Sequence, residues 1–100
     1  MSQQFSAVLM NEEDNVATVL ANLAEGSKVN AVYGDVSYAV ELLQSIPFGH
    51  KFALDLINKG EKIYKYGEVI GVASSDISKG EHVHVHNLEG TRGRGDLNAE

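Results

Sequence analysis

Three of the chain's four histidines alternate with valines in one short stretch. His82, His84 and His86 are separated by Val83 and Val85. Alternate residues of a β-strand point to opposite faces, so an extended stretch would align the three imidazoles on one face, about 7 Å apart per step. The two valines would face the core. The spacing therefore predicts a strand that presents a row of histidines.

Aligned imidazoles suit two kinds of chemistry. They ligate divalent transition metals such as zinc, iron, nickel or copper, and they transfer protons near neutral pH. Two histidines spaced His-x-His can offer nitrogens to one ion, so a metal site needs at least one more ligand from elsewhere. His50, within Gly49-His50-Lys51, is a further candidate ligand or acid–base group. The same pattern also fits half-exposed strand residues without chemistry, or a pH-dependent contact with a partner.

Composition limits the classes of function. One hundred residues make one small domain, in which a deep enclosed active site is hard to build. A net charge of -6 argues against a nucleic-acid partner, and the absence of cysteine excludes disulfides and thiolate chemistry. No apolar run approaches the ~20 residues that cross a bilayer, and the first residues lack the regions of a signal peptide. We expect a cytoplasmic protein without a membrane partner.

The alternation of apolar residues predicts several strands. Residues 5–10 read as a first strand, and residues 29–33 and 36–40 alternate on either side of Gly34-Asp35, which predicts a β-hairpin. Residues 16–20 fit a helix capped by Asp14 or Asn15, but their β-branched content favours a strand. Brief helices are expected around residues 39–44 or 54–58.

A pattern of the form apolar-x-x-Gly-x-x-apolar occurs four times. It predicts a tight turn that is closed by a glycine with positive φ and followed by a strand. Many short strands joined by such turns indicate a compact, mostly β fold with short helices, shaped as a barrel or clip. The central glycines of the four copies are Gly26, Gly49, Gly60 and Gly80.

The last twelve residues differ in composition from the rest. Residues 89–100 contain three glycines and almost no apolar side chains, so we predict a folded domain over 1–88 and a flexible tail over 89–100. Upstream, Lys65 and Tyr66 precede Gly67 and place a cation and a phenol in one turn. A lysine there could hold a substrate carboxylate, and the phenol could donate a hydrogen bond.

Five stretches together resemble the N-terminal SAF-type domain of the altronate/galactarate dehydratase family, over roughly residues 7 to 88. The resemblance implies a β-clip fold. In the sugar-acid dehydratases this domain precedes a much larger catalytic region, and in members such as sulfolactate sulfo-lyase the two parts are separate chains. The stretches that carry the resemblance are residues 14–17, 49–54, 65–67, 70–71 and 80–87.

The resemblance implies an elimination of water or sulfite from a sugar acid or related 2-hydroxy carboxylic acid, assisted by iron or another divalent metal. The chain would be the small subunit, inactive alone, and would share the metal with a large catalytic subunit. Without that subunit, an exposed apolar patch could pair two copies of the chain. The expected metal ligands are His82, His84 and His86, and the acid–base candidates are His84, His86 and His50. Lys65 and Tyr66 are the expected substrate-binding residues.

Two other functions fit the same sequence. A chain of this size could be a standalone SAF-like module that binds a carbohydrate or a protein and catalyses nothing. The histidines could also serve to buffer or sense a metal ion.

Overall fold

The computed structural model describes residues 4–90 of the chain. These residues form nine β-strands and no helix, so the mostly β fold class is confirmed, while the short helices predicted around residues 39–44 and 54–58 are wrong. Residues 39–41 instead complete a strand, and Ile57 forms an isolated antiparallel bridge with Ile77. The strands are β1 Gln4–Val8, β2 Val16–Val19, β3 Lys28–Tyr33, β4 Val36–Glu41, β5 Lys51–Ala53, β6 Lys62–Lys65, β7 Glu68–Ala73, β8 His82–Val83 and β9 Leu88–Gly90.

The strands form two sheets. Six lie in the order β4-β3-β1-β2-β5-β8, and three lie in the order β6-β7-β9. The pairs are antiparallel except β1 with β3. The predicted hairpin is confirmed as β3 and β4. Of the two predictions for residues 16–20, the strand is confirmed and the helix is wrong, because β2 pairs with both β1 and β5. Glu89 and Gly90, placed in the tail by composition, belong to β9, and residues 91–100 lie outside the described range.

The four glycine-centred turns share one backbone design. Each glycine has the predicted positive φ, between 84° and 90°. Its N–H donates to the carbonyl of a residue elsewhere in the chain, and the N–H of that residue donates back to the carbonyl of the residue after the glycine. Each turn is thereby fastened to a distant segment by a reciprocal pair of bonds. The pairs are Gly26 and Ser27 with Leu42, Gly49 and His50 with Val19, Gly60 and Glu61 with Ala73, and Gly80 and Glu81 with Ala53.

Two apolar cores lie on opposite faces of β5. Phe52 is fully buried in the first core, with Leu42 and Ile46, whereas the next residue, Ala53, lies in the second core with Val83. Because successive residues of a strand face opposite sides, this short strand contributes to both cores. It also carries β8 at its free edge and so fixes the position of the histidine stretch. Within residues 4–90, no helix offers the length and apolar character that a bilayer crossing requires.

Candidate functional site

The histidine stretch is not one extended strand. Strand β8 ends at Val83, and residues 84–87 form a turn. The predicted row of imidazoles on one straight strand is therefore wrong, and Val85 is 80% exposed instead of facing the core. Val83 alone is buried, as predicted.

Asn87 is the physical reason for this turn. Its side chain is 2% exposed, its Oδ1 accepts the N–H of His84 at 3.0 Å, and its Nδ2 donates to the carbonyl of His82 at 2.9 Å. The N–H groups of Asn87 and Leu88 both donate to the carbonyl of His84. Asparagine side chains bond to nearby backbone in this way and so compete with strand formation.

The imidazoles nevertheless come together, in a different set from the predicted one. His50 Nδ1 lies 2.9 Å from His82 Nε2, and the rings of His50 and His84 stack with centroids 4.3 Å apart. His50, His82 and His84 each offer a ring nitrogen, and the three nitrogens lie within 4.8 Å of one another. We call these three residues the imidazole cluster. His86 lies beside it, with its ring centroid 5.3 Å from that of His82.

Strand pairing brings the cluster together. His82 opposes Phe52 in the β5–β8 pair, and His50 lies two residues before Phe52, so both imidazoles lie on one side of the sheet edge. The N–H of His82 donates to Gln44 Oε1 at 2.9 Å, which ties the start of β8 to a third segment. Two turns, each closed by a glycine, therefore carry ligand candidates that are distant in sequence.

The repeated turn gives a second sequence signal for His50 and His82, independent of the alternation pattern that named His82. After the glycine, the other copies place serine or glutamate first, and then lysine. Glu61 and Glu81 use their carboxylates to accept backbone N–H groups of their own turns, at 2.7 and 2.9 Å. His50 and His82 are the departures from this pattern. The first positions are Ser27, His50, Glu61 and Glu81, and the second positions are Lys28, Lys51, Lys62 and His82.

The surroundings of His82 and His84 lower the pKa values of both imidazoles. Burial lowers the pKa of His82 to about 4, assisted by the positive charges of the other three histidines and Lys51. Burial also lowers the pKa of His84, with His50, Lys51 and His86 contributing. Only a neutral imidazole has a lone pair for a metal, so the lowered pKa values of His82 and His84 favour the form of these two side chains that can bind one.

The donor set fits a divalent transition metal. Two imidazole nitrogens that bind one ion at about 2.1 Å lie at most about 4.2 Å apart, so small side-chain rotations would bring the cluster into range. Imidazole suits zinc, iron, copper and nickel. All three histidines are partly exposed, so further ligands could reach the ion from outside the chain.

Lys65 and Tyr66 lie at the tip of the β6–β7 hairpin, which Asp14 holds. The Asp14 carboxylate is 3% exposed and accepts the N–H groups of Tyr66 and Gly67 at 2.9 and 2.7 Å. Tyr66 has a φ of 58°, and Lys65 Nζ lies 4.9 Å from the centroid of its ring.

Burial lowers the pKa of Lys51, and the charge of Lys65 lowers it further. Lys51 is thus electrostatically coupled both to Lys65 and to the imidazole cluster.

Comparison with known proteins gives one family. Residues 5–91 match the altronate/galactarate dehydratase SAF domain. The chain is 50% identical to the altronate dehydratase of Escherichia coli (strain K12) over 74 residues, which cover 74% of this chain and 14% of that enzyme. It is 43% identical to the altronate dehydratase of Bacillus subtilis (strain 168) over 84 residues, which cover 84% of this chain and 16% of that enzyme.

A second kind of relative has the same size as this chain. The chain is 32% identical to the (2R)-sulfolactate sulfo-lyase subunit alpha of Chromohalobacter salexigens over 88 residues. These residues cover 85% of this chain and 94% of that subunit. The chain thus spans about a seventh of the altronate dehydratases and nearly the whole of the sulfo-lyase subunit.

Proposed function

This chain belongs to the altronate/galactarate dehydratase SAF domain family, and from this premise we propose that it is the small subunit of a two-component lyase. The enzyme would eliminate water or sulfite from a sugar acid or related 2-hydroxy carboxylic acid. The length match to a subunit named alpha supports a separate small chain with a partner. The match to a short segment of the altronate dehydratases supports a much larger catalytic part.

The imidazole cluster is the observation that carries this proposal. His50, His82 and His84 would hold a divalent metal ion. When bound, such an ion would stabilise the negative charge that develops on the carboxylate and hydroxyl oxygens during elimination. His86 lies next to the cluster but outside its three-nitrogen group, so it is the candidate for moving a proton to or from the reacting acid.

The site would be completed by the large subunit. A hollow of about 370 Å³ is lined by Asn22, Leu23, Ala24, Ser45, Ile46 and Pro47, and no histidine contributes to it. The cluster histidines are partly exposed, and two apolar side chains within two residues of them, Phe48 and Val85, are 64% and 80% exposed. A second chain that covers these apolar side chains would enclose the metal and the substrate and exclude water.

The test is to purify the tagged full chain with its natural partner and assay elimination. We expect a much longer chain to co-purify and the pair to act on altronate, galactarate or (2R)-sulfolactate. His50→Ala and His84→Ala should each lower both activity and bound metal, whereas Lys28→Met, an exposed position, should change neither. Full activity and metal content in both histidine variants would refute the role of the cluster. A chain that purifies without a partner or lyase activity would favour a binding module.

A further inference from the structure

Strand β8 lies at the edge of the six-stranded sheet. It contains two residues, His82 and Val83, and within residues 4–90 it pairs with β5 alone. Successive residues of an antiparallel strand direct their backbone N–H and C=O groups alternately towards and away from the neighbouring strand. The outward groups of an edge strand need other partners, and a strand this short takes its position partly from them.

Two side-chain amides supply these partners at His82. The N–H of His82 donates to Gln44 Oε1 at 2.9 Å, and the carbonyl of His82 accepts Nδ2 of Asn87 at 2.9 Å. Both backbone polar groups of this ligand candidate are therefore bonded to amide side chains. The two amides fill the place that a further strand would take beside β8.

The two amides differ in their setting. Asn87 is 2% exposed and lies five residues from His82, so its bonds belong to the local turn. Gln44 is exposed and belongs to a segment 38 positions away from His82. Fixing a long, exposed side chain costs conformational entropy comparable to the net gain from one hydrogen bond, so this bond adds little to the stability of the fold. Its effect is on where the backbone of His82 lies.

The segment that carries Gln44 is fixed against the turn that precedes β8. The N–H of Leu43 donates to the carbonyl of Gly80 at 2.9 Å. The carbonyl oxygen of Glu41 lies so close to Gly80 that a Cβ on this glycine would be 2.3 Å from it. Gln44 follows directly, so its side chain starts from a fixed backbone and reaches the residue two positions beyond Gly80.

His82 contacts every other imidazole of the site. Its Nε2 lies 2.9 Å from His50 Nδ1, and its ring centroid lies 5.6 and 5.3 Å from those of His84 and His86. The ligands of a binding site have to be held within about 0.5 Å of their working positions. A shift of the His82 backbone would change the distance from its imidazole to all three neighbours.

We propose that Gln44 is a positioning residue for metal binding. Its amide oxygen holds the backbone of His82 where the His82 imidazole can share one ion with His50 and His84. This inference rests on the proposed role of the imidazole cluster in holding a divalent metal. It requires neither the partner chain nor catalysis, because every contact that carries it lies within this chain.

The test measures metal binding by the full chain alone. Calorimetry at pH 7.5 gives the affinity for zinc, and the absorption spectrum of bound cobalt(II) reports the ligand geometry. Gln44→Ala should lower the zinc affinity about three- to tenfold, as loss of one hydrogen bond does, and should alter the cobalt spectrum. Gln44→Glu keeps an acceptor oxygen at the same side-chain length and should restore both. A change of surface charge alone would not restore the spectrum.

Ser75→Ala is the matched control. Ser75 is exposed and lies two residues before Ile77, the first residue of one turn, as Gln44 lies two residues before Ile46, the first residue of another. This variant should bind zinc and cobalt as the unaltered chain does. Urea unfolding with EDTA should show nearly equal stability for the Gln44 and Ser75 variants, so altered metal binding would not be a consequence of unfolding.

The outcomes separate this proposal from the role of the cluster. If His50→Ala weakens zinc binding but Gln44→Ala matches Ser75→Ala in affinity and spectrum, the positioning role is overturned and the cluster stands. An altered cobalt spectrum that Gln44→Glu does not restore would also overturn the positioning role, because the effect would not depend on the acceptor oxygen. If the unaltered chain binds no zinc, or His50→Ala binds it as tightly, both the metal role of the cluster and this proposal are overturned.

Discussion

At position 87, one buried amide determines the path of the chain beside the imidazole cluster. Both ends of the Asn87 side chain bond to backbone groups of the histidine stretch, at His84 and His82. The strand prediction failed here because period-two alternation reports only which residues could share a face. It gives no weight to a polar side chain that satisfies buried backbone groups better than strand pairing would.

Replacing this amide should destabilise the chain. In Asn87→Ala, the His84 N–H and the His82 carbonyl lose their partner, and each buried group left unpaired costs about 1–3 kcal/mol. We expect the free energy of unfolding, measured with urea, to fall by about 2–4 kcal/mol. Asn58→Ala, at an exposed turn position, is the control and should change it by less than about 0.5 kcal/mol. A similar small change in both variants would contradict the role of Asn87.

His82 should make the stability of the metal-free chain depend on pH. Its pKa is lowered to about 4 in the folded chain, below the usual 6.5 of a histidine, so the unfolded chain binds more protons between these values. Stability is therefore fully present above about pH 6.5 and decreases as the pH falls towards 4; the lowered pKa of His84 acts in the same direction. Urea unfolding at several pH values, with EDTA, measures this dependence. His82→Gln should flatten it, and an unchanged slope would contradict the assignment.

At the scale of elements, the glycine-centred turn is the repeated unit, and much of it was predictable. The positive φ values at the four glycines and the β3–β4 hairpin follow from local sequence, because turn chemistry acts over a few residues. The pairing of β5 with β8 does not follow from local sequence. It opposes Phe52 to His82 across 30 residues, and the sequence contains no local mark of that register. The sequence could thus indicate His50 as a candidate metal ligand, but not that His82 and His84 lie beside it.

Two of these glycines should differ sharply in tolerance to substitution. Gly60 and Gly80 have nearly the same φ, 90° and 87°, but a Cβ on Gly60 would meet open space. A Cβ on Gly80 would lie 2.3 Å from the carbonyl oxygen of Glu41, so backbone would have to move. We expect Gly60→Ala to cost about 1–2 kcal/mol for the left-handed conformation alone. Gly80→Ala should cost at least about 2 kcal/mol more, as overpacking does in rigid surroundings.

Thermal unfolding of the two alanine variants measures this difference. Because the two glycines have nearly the same φ, the cost of the left-handed conformation is the same in both variants. The difference between their losses of stability therefore measures the contact with Glu41. Equal losses of stability would show that the region around Gly80 can relax, and that the turn does not hold β8 rigidly.

At the scale of the whole molecule, the chain offers a group of partly exposed histidines on a small β domain. The fold class and the family were within reach of the sequence, because apolar alternation and ordered short motifs extend over most of its length. The arrangement of the three ring nitrogens could not be predicted from the sequence, because it depends on two turns that meet at one sheet edge. The hydrogen bonds from the β6–β7 tip to Asp14 could not be predicted either, because they join residues that are more than 50 positions apart.

Metal should bind to the isolated chain and distinguish His50 from His86. We expect zinc to bind with a stoichiometry of one per chain in calorimetry at pH 7.5 and to raise the midpoint of thermal unfolding, because an ion that binds only the folded state stabilises it. His50→Ala should weaken binding by about tenfold or more, as loss of a ligand does, whereas His86→Ala should have a smaller effect. A larger effect in His86→Ala would restore the originally predicted ligand set.

The contact between His50 and His82 joins residues that are 32 positions apart. In a chain without cysteines, an ion shared by these two imidazoles would link distant parts of the sequence in the folded state alone. Loss of the ion would then remove a link between the turn before β5 and strand β8, so the folded chain should unfold faster where the metal is scarce.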